Sequence, residues 1–381
     1  MSCGFLNPDQ GQIGLPNVGN TCYLNSTIQC LAGTQDLLKY FFQYTKIKND
    51  QDNEQHIKRY KLDMTQEKKV KNNKTPTKHM LTDVWHNLLV KLWASKKDAQ
   101  RINPIPFYQL IGKVANESKA SISIAGDQND FQEFLILLMD SLHDSLSREV
   151  KMNIVGNDIT TVDTLSRQAY STYIKHFESD YSIFVTLFTG QIQTTTLGEC
   201  GHISTIFDPV KFFPLVVPVL REPIKLEDLF QNYTTESKLV EHKNEDDEEF
   251  DDRWFCDKCN TKVNALTKNT IWELPQYLII SLGRYQYHPR PIKVNTPVIY
   301  PINGLDLSKY HTGVKNKSTK YNLYAVANHF GNQRGGHYTA FRKNPDGRWF
   351  HFNDESVNEV KTENMNEIVN NGAYCLFYER V

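Results

Sequence analysis

The sequence predicts an α+β fold, with helices gathered early and strands late. Two patterns carry this expectation: apolar residues at helical spacing concentrate before about residue 150, and strand-like runs follow Ile183. A third is the continuous apolar run Leu278-Ile279-Ile280-Ser281-Leu282, which fits a central strand buried on both faces.

The first helix follows the glycine-punctuated turn Gly14-Leu15-Pro16-Asn17-Val18-Gly19-Asn20-Thr21 and opens on Cys22. Leu24, Ile28 and Leu31 keep the i, i+4, i+7 spacing of a helix packed on one side. Cys22 therefore falls in the first turn, where free backbone N–H groups and the helix dipole favour a thiolate and are expected to lower its pKa below about 8.5. That makes it a candidate nucleophile.

From Thr45 to Lys78 the chain is dense in Lys, Asn, Gln and Asp, a composition that buries too little to offset ordering entropy and predicts a mobile surface insertion. Its interspersed acids and few aromatics argue against a nucleic-acid-binding patch. Helical spacing returns at Leu81 to Trp93 and again at Phe131, Phe134, Leu135, Leu138 and Leu142. Asp130 and Glu133 then stand at a helix N-terminus, which favours acids. Ile183 to Val219 is expected to be β-rich, including Phe184 to Phe188 and Gln191 to Leu197. The acidic block from Asn244 to Asp252 predicts a solvated loop.

Near the C-terminal end, Gly335-Gly336-His337-Tyr338 opens one strand-like run and Trp349-Phe350-His351-Phe352-Asn353-Asp354 closes the next. An antiparallel pair across Asn344-Pro345-Asp346-Gly347 would bring His337 and the Asn-Asp pair together. Cys, His and Asn or Asp in that order are the parts of a cysteine-protease triad.

The Gly14–Ser26 and Gly335–Ser356 segments resemble the Cys box and His box of the ubiquitin-specific proteases, and the likeness runs from about Gly14 to Arg380. The resemblance implies a papain-like cysteine peptidase fold of thumb, palm and fingers in one catalytic domain, residues 1–381. Residues 14–150 would form the helical thumb, 183–275 the β-rich fingers with adjoining palm, and 276–381 the palm with the His box. It implies Cys22 as nucleophile and His337 as base. Asn353, directly after Phe352, would orient the imidazole, with Asp354 as support or polariser.

Asn17 matches the family's oxyanion asparagine, beside the backbone N–H of Cys22; read from the residues alone it is equally a turn residue beside Pro16. Gln128 to Leu135 resembles the glutamine-aspartate box, implying that Asp130, or else Glu133, meets an arginine of the ubiquitin tail. Gly335 and Gly336 suit a channel where a substrate backbone passes close, because a missing Cβ lets chains approach. His329 and Tyr338 are either walls of that channel or core aromatics.

Cys200-Gly201-His202 and Cys256-Asp257-Lys258-Cys259 resemble the halves of a zinc ribbon, but Leu197 stands where the family has the first cysteine. Zinc takes four ligands, so either His202 joins Cys200, Cys256 and Cys259, or the subdomain is metal-free. The resemblance implies no cofactor for catalysis.

The implied activity is thiol-dependent hydrolysis of the bond at ubiquitin's C-terminal glycine, with ubiquitin and ubiquitinated proteins as partners. The rivals are a catalytically lost ubiquitin-binding module and a protease for a ubiquitin-like modifier. A net charge of −1 gives no field for nucleic acid or membrane, and no apolar run approaches a spanning helix. Seven cysteines, an odd number, argue against a disulfide framework. Together these predict a soluble cytoplasmic protein, with nuclear placement as an alternative; insertion lengths that resemble those of family members linked to endosomal cargo imply endosome association as another.

Overall fold

The computed structural model describes residues 10–43, 62–65, 76–94, 102–120, 122, 124, 126–243, 249–287, 291–314, 317–332 and 335–381. Most of the expected surface insertion lies outside the described residues. Within it, Leu62–Thr65 forms a strand paired with Lys151–Ile154, and Pro76 already begins a helix.

Helices Cys22–Ala32, Gln35–Phe42, Pro76–Leu92, Ile105–Glu117 and Phe131–Leu146 form one layer. Their apolar stripes converge: Trp85 lies edge-on to Phe41 and tilted against Phe107, all three fully or nearly fully buried. Each such side chain removed from water contributes about 1.5–3 kcal/mol, which is why this layer keeps a single packing.

The main sheet runs Ser356–Val360, Trp349–Asn353, Gly335–Lys343, Lys320–Asn332, Ala373–Arg380, Tyr277–Gly283, Phe213–Val216. All neighbours are antiparallel except the last pair. Tyr277 to Leu282 are all buried, as the apolar run required. One sheet face packs against the helical layer, and the other covers a second core that includes Leu226, Leu229 and Phe230 of the Leu226–Tyr233 helix. A separate four-stranded sheet has the order Ile203–Val210, Gly190–Gly198, Ala265–Glu273, Ser237–Leu239.

Two local expectations are corrected and one unforeseen helix is added. Ile183–Phe188 is a short helix rather than a strand, because Ser182 accepts from the backbone N–H of Phe184 and Phe184, Leu187 and Phe188 bury one side. Thr161–Phe177, which no pattern had singled out, is a helix opened by a reciprocal Thr160–Asp163 capping box. Part of the acidic block is not loop: Glu249–Asp251 pairs with Glu241–Lys243, while residues 244–248 lie outside the described set.

Candidate active site

The turn before the first helix is built by two successive left-handed residues, Gly19 (φ +98°) and Asn20 (φ +53°). Asn17 steadies it, its Oδ1 accepting from the backbone N–H of Thr21 at 3.1 Å and from the Thr21 hydroxyl at 3.2 Å. The helix then starts at Cys22, whose side chain is buried.

That burial reverses the expected ionisation. It pushes the Cys22 thiol above its ordinary value of 9.0, and the Asp354 charge adds to the rise. Backbone N–H groups of Tyr338, Tyr23 and Cys22 itself favour the thiolate but do not outweigh desolvation. The balance therefore favours the protonated thiol.

The Tyr338 amide facing this sulfur belongs to the residue after His337, so the Gly335–Lys343 strand passes beside the helix start. His337 Nε2 meets Asn353 Oδ1 at 2.7 Å, with Asp354 Oδ2 at 4.0 Å. An amide oxygen accepts, so Nε2 carries the proton in the neutral ring and Nδ1 is left as the base. The predicted hairpin accounts for this meeting, because the two strands pair from Ala340–Phe352 to Lys343–Trp349.

Asp354 sits at φ +50° and stitches the cysteine turn to the sheet. Its carboxylate accepts from Asn25 at 2.7 Å and Asn17 at 3.0 Å, and its carbonyl from Leu15 N–H at 2.9 Å. Gly14 allows this approach, since a Cβ there would lie 2.4 Å from the Asp354 carbonyl oxygen. One amide hydrogen of Asn17 is thereby committed to Asp354. Asn25, which also accepts from the Tyr108 hydroxyl, was missed from sequence; a polar residue on the buried face of an apolar helix was the available signal.

A cleft of about 550 Å³ runs from Cys22 past Gln128 and Asp130 to Tyr285, His329 and Tyr338. Asp130 caps its helix, Oδ1 accepting from Gln132 and Glu133 N–H, while Oδ2 accepts from the Tyr374 hydroxyl at 2.6 Å and the Tyr338 hydroxyl at 3.3 Å. Glu133 lines the same cleft with its side chain exposed.

His329 is buried, its ring 4.5 Å from that of Tyr338 and its Nδ1 3.0 Å from the Tyr285 hydroxyl. Burial, then the charges of Lys293 and His337, lower its pKa to about 4. Gly335 and Gly336 line the cleft, but the glycine requirement at Gly336 comes first from the chain itself: a Cβ there would lie 2.1 Å from His329 Nε2. The Gly336 N–H donates across the cleft to Gln128 Oε1 at 3.2 Å. Gln128 had been read only as part of a motif.

Far along the smaller sheet, Cys200, His202, Cys256 and Cys259 bring their donor atoms within 4.8 Å of one another. Cys200 and His202 lie not on a strand but on a turn through Gly201 (φ +80°), which turns both donors inward. A tetrahedral zinc with ordinary bond lengths sets S···S edges near ~3.8 Å and S···N edges near ~3.6 Å. Cys200 and Cys256 sulfurs are 3.7 Å apart, and His202 Nδ1 lies 3.4 Å from both Cys256 and Cys259 sulfurs. The donor set fits the ion, while Leu197 is exposed and pairs with Ile203 in the adjoining hairpin.

The family model described as ubiquitin carboxyl-terminal hydrolase matches residues 13–378. Ubiquitin carboxyl-terminal hydrolase 2 of Bos taurus is 30% identical over 379 residues, covering 97% of this chain and 55% of its own. Usp2 of Drosophila melanogaster is 31% identical over 377 residues, covering 97% of this chain and 35% of its own. Ubiquitin carboxyl-terminal hydrolase 4 of Saccharomyces cerevisiae is 30% identical over 401 residues, with 97% and 39% covered. The chain thus spans roughly a third to just over half of these relatives' lengths. Among solved structures, the SAGA DUB module containing Ubp8 and bound to monoubiquitin superposes with a TM-score of 0.66 at 19% identity, covering 98% of this chain and 70% of that one. The same module bound to ubiquitin aldehyde gives 0.64 at 19%, with 98% and 70% covered. At that identity the likeness establishes the fold, the mixed helical and sheet architecture expected from sequence.

Proposed function

The chain belongs to the ubiquitin carboxyl-terminal hydrolase family, and from that premise we propose that it is a cysteine peptidase releasing ubiquitin from the lysines of conjugated proteins. The observation that carries this reading is the placement of His337, bonded to Asn353 at 2.7 Å, on the strand whose next amide faces the Cys22 sulfur.

In this reading Cys22 Sγ attacks the carbonyl carbon of ubiquitin's last glycine while its proton passes to His337 Nδ1. Asn353 holds the imidazole in the tautomer that leaves Nδ1 free. The oxyanion draws on the Cys22 N–H and on Asn17, which Asp354 keeps in place. As the C–N bond breaks, His337 returns the proton to the departing lysine amine. Water, activated by the same nitrogen, then cleaves the thioester to give a carboxylate and restore the thiol. The cleft from Cys22 to Tyr285 would hold the extended tail, with Asp130 or Glu133 meeting its arginine and Gly335 and Gly336 beside its glycines. Zinc, where bound, would be held by Cys200, His202, Cys256 and Cys259, far from the chemistry and with a structural role only.

The test is labelling by a ubiquitin vinyl sulfone probe and cleavage of ubiquitin chains, each with wild type and Cys22→Ser. Cleavage that survives Cys22→Ser would refute the mechanism. Labelling by a ubiquitin-like modifier in preference to ubiquitin would redirect the substrate, and binding without turnover would favour the inactive module.

A further inference from the structure

On the ladder joining Lys320–Asn332 to Gly335–Lys343, His337 stands opposite Phe330 and Tyr338 opposite His329. Cross-strand partners share a face and successive residues alternate, so this ladder has two chemically distinct sides. One carries His329 and Tyr338, in ring contact, and lines the cleft assigned above to the ubiquitin tail. The other carries His337 and Phe330, neither of which lines that cleft.

Phe330 leaves half its surface, 50%, in water although it is a large apolar residue beside the imidazole. Its position is fixed from below. The ring rests on Gly372, where a Cβ would lie 2.5 Å from the ring carbon Cζ. Gly372 is itself held, its N–H donating to Asn370 Oδ1 at 2.7 Å and its carbonyl accepting from His329 N–H at 2.7 Å. An exposed aromatic face on a seat this rigid has no use in the core.

The acyl part of the substrate fills the side of the ladder facing His329. The amine must then leave on the side where His337 returns the proton. We propose that Phe330 is the wall on which the departing lysine lies, its ring packing the aliphatic stem and meeting the ammonium group as it forms, and that it thereby favours cleavage at lysine ε-amines. The inference rests on the proposed function and adds a specificity determinant to it. An aromatic face meeting a cation at an exposed site is worth about a fivefold effect at most, with stem packing acting in the same direction.

The test uses the full chain as wild type, Phe330→Ser and Phe330→Tyr with three readouts. The first is adduct formation with ubiquitin vinyl sulfone, which has no leaving residue beyond the tail. The others are kcat/KM for ubiquitin joined to a short peptide through a lysine ε-amine, and through the α-amine of an N-terminal glycine. Phe330→Ser should lower kcat/KM for the ε-linked conjugate about fivefold, leave the probe unchanged, and be rescued by Phe330→Tyr. It should lower kcat/KM less for the α-linked conjugate, whose amine also leaves as an ammonium but brings no aliphatic stem; an equal loss on the two conjugates overturns the preference for ε-amines. An equal loss in all three readouts, or none on the ε-linked conjugate, overturns the wall. A wild-type chain that neither labels nor cleaves either conjugate overturns the proposed function and the wall with it.

Discussion

The side-chain amide of Asn17 donates to the carboxylate of Asp354 at 3.0 Å, so a residue of the cysteine turn is held by one that follows the imidazole hairpin. The same carboxylate holds Asn25 inside the helix that begins at Cys22. Asn17 and the helix that opens on Cys22 therefore share one anchor, and they are misplaced together when it is lost.

Asp354→Ala should lower kcat by roughly 10²-fold, the usual cost of a lost oxyanion donor, with a smaller change in KM. Asp354→Asn, which keeps one acceptor oxygen, should lose less. Steady-state kinetics on a ubiquitin–coumarin substrate measure both, and a wild-type kcat in Asp354→Ala would contradict the role given to Asn17.

The Cys22 thiol makes a prediction about pH. Its folded-state pKa lies above 9.0 through burial, so the folded chain keeps a proton that the unfolded chain releases near that value. The stability this contributes is complete below pH 9 and is lost as the pH rises through the folded value. Iodoacetamide labelling of Cys22 in the free protein, read by mass spectrometry, should be slow at pH 7 and climb past pH 9. A rate already on its plateau at pH 7 would mean a preformed thiolate.

His329 predicts the acid side. Its pKa falls from 6.5 to about 4 on folding, so between those values the unfolded chain binds a proton that the folded chain does not. Stability is then unaffected above pH 6.5 and declines from there to about pH 4, by at most about 1.4 kcal/mol per pH unit. Urea unfolding at pH 7, 5.5 and 4.5 should show a shallower decline in His329→Gln than in wild type. Parallel slopes would exclude His329 as a source.

Purified protein should carry about one zinc, bound as a structural site whose loss removes folding energy. Elemental analysis reads the ion, and chelation should lower Tm. His202→Ala should lose metal and Tm together. A metal-free chain with the same Tm in both variants would leave the three cysteines as plain thiols.

Much of the site was legible because it rests on local signals. The turn chemistry before Cys22 and the hairpin linking His337 to Asn353 are written in short stretches, and both fold as read. What escaped depends on distant partners. Arg342, next to Lys343 in a strand, gives no sign in sequence of being fully buried. It lies between Trp93 and Phe352, 4.8 and 4.4 Å from their ring centres, and donates to Gln29 at 2.9 Å. The ionisation of Cys22 was misjudged for the same reason: helix position is local, but desolvation is set by everything packed above it.

Phe184 to Phe188 was a different failure. Aromatic and β-branched content suggested a strand, yet Ser182 followed by Phe184, Leu187 and Phe188 at i, i+3, i+4 already had a capped helix's form. The Cys200–His202 pair stayed open between ligand and bystander because nothing in a β-rich stretch announces the left-handed glycine turn that lets both donors face one point.

The Ala373–Arg380 strand lies between Lys320–Asn332 and Tyr277–Gly283, although it is made after both. A nascent chain emerging from the ribosome therefore has two sheet fragments with a gap where the joining strand belongs. Only when that last piece slots in does the half of the sheet carrying His337 become continuous with the half ending at Phe213–Val216, so the closing stitch of the sheet waits until translation has passed Arg380.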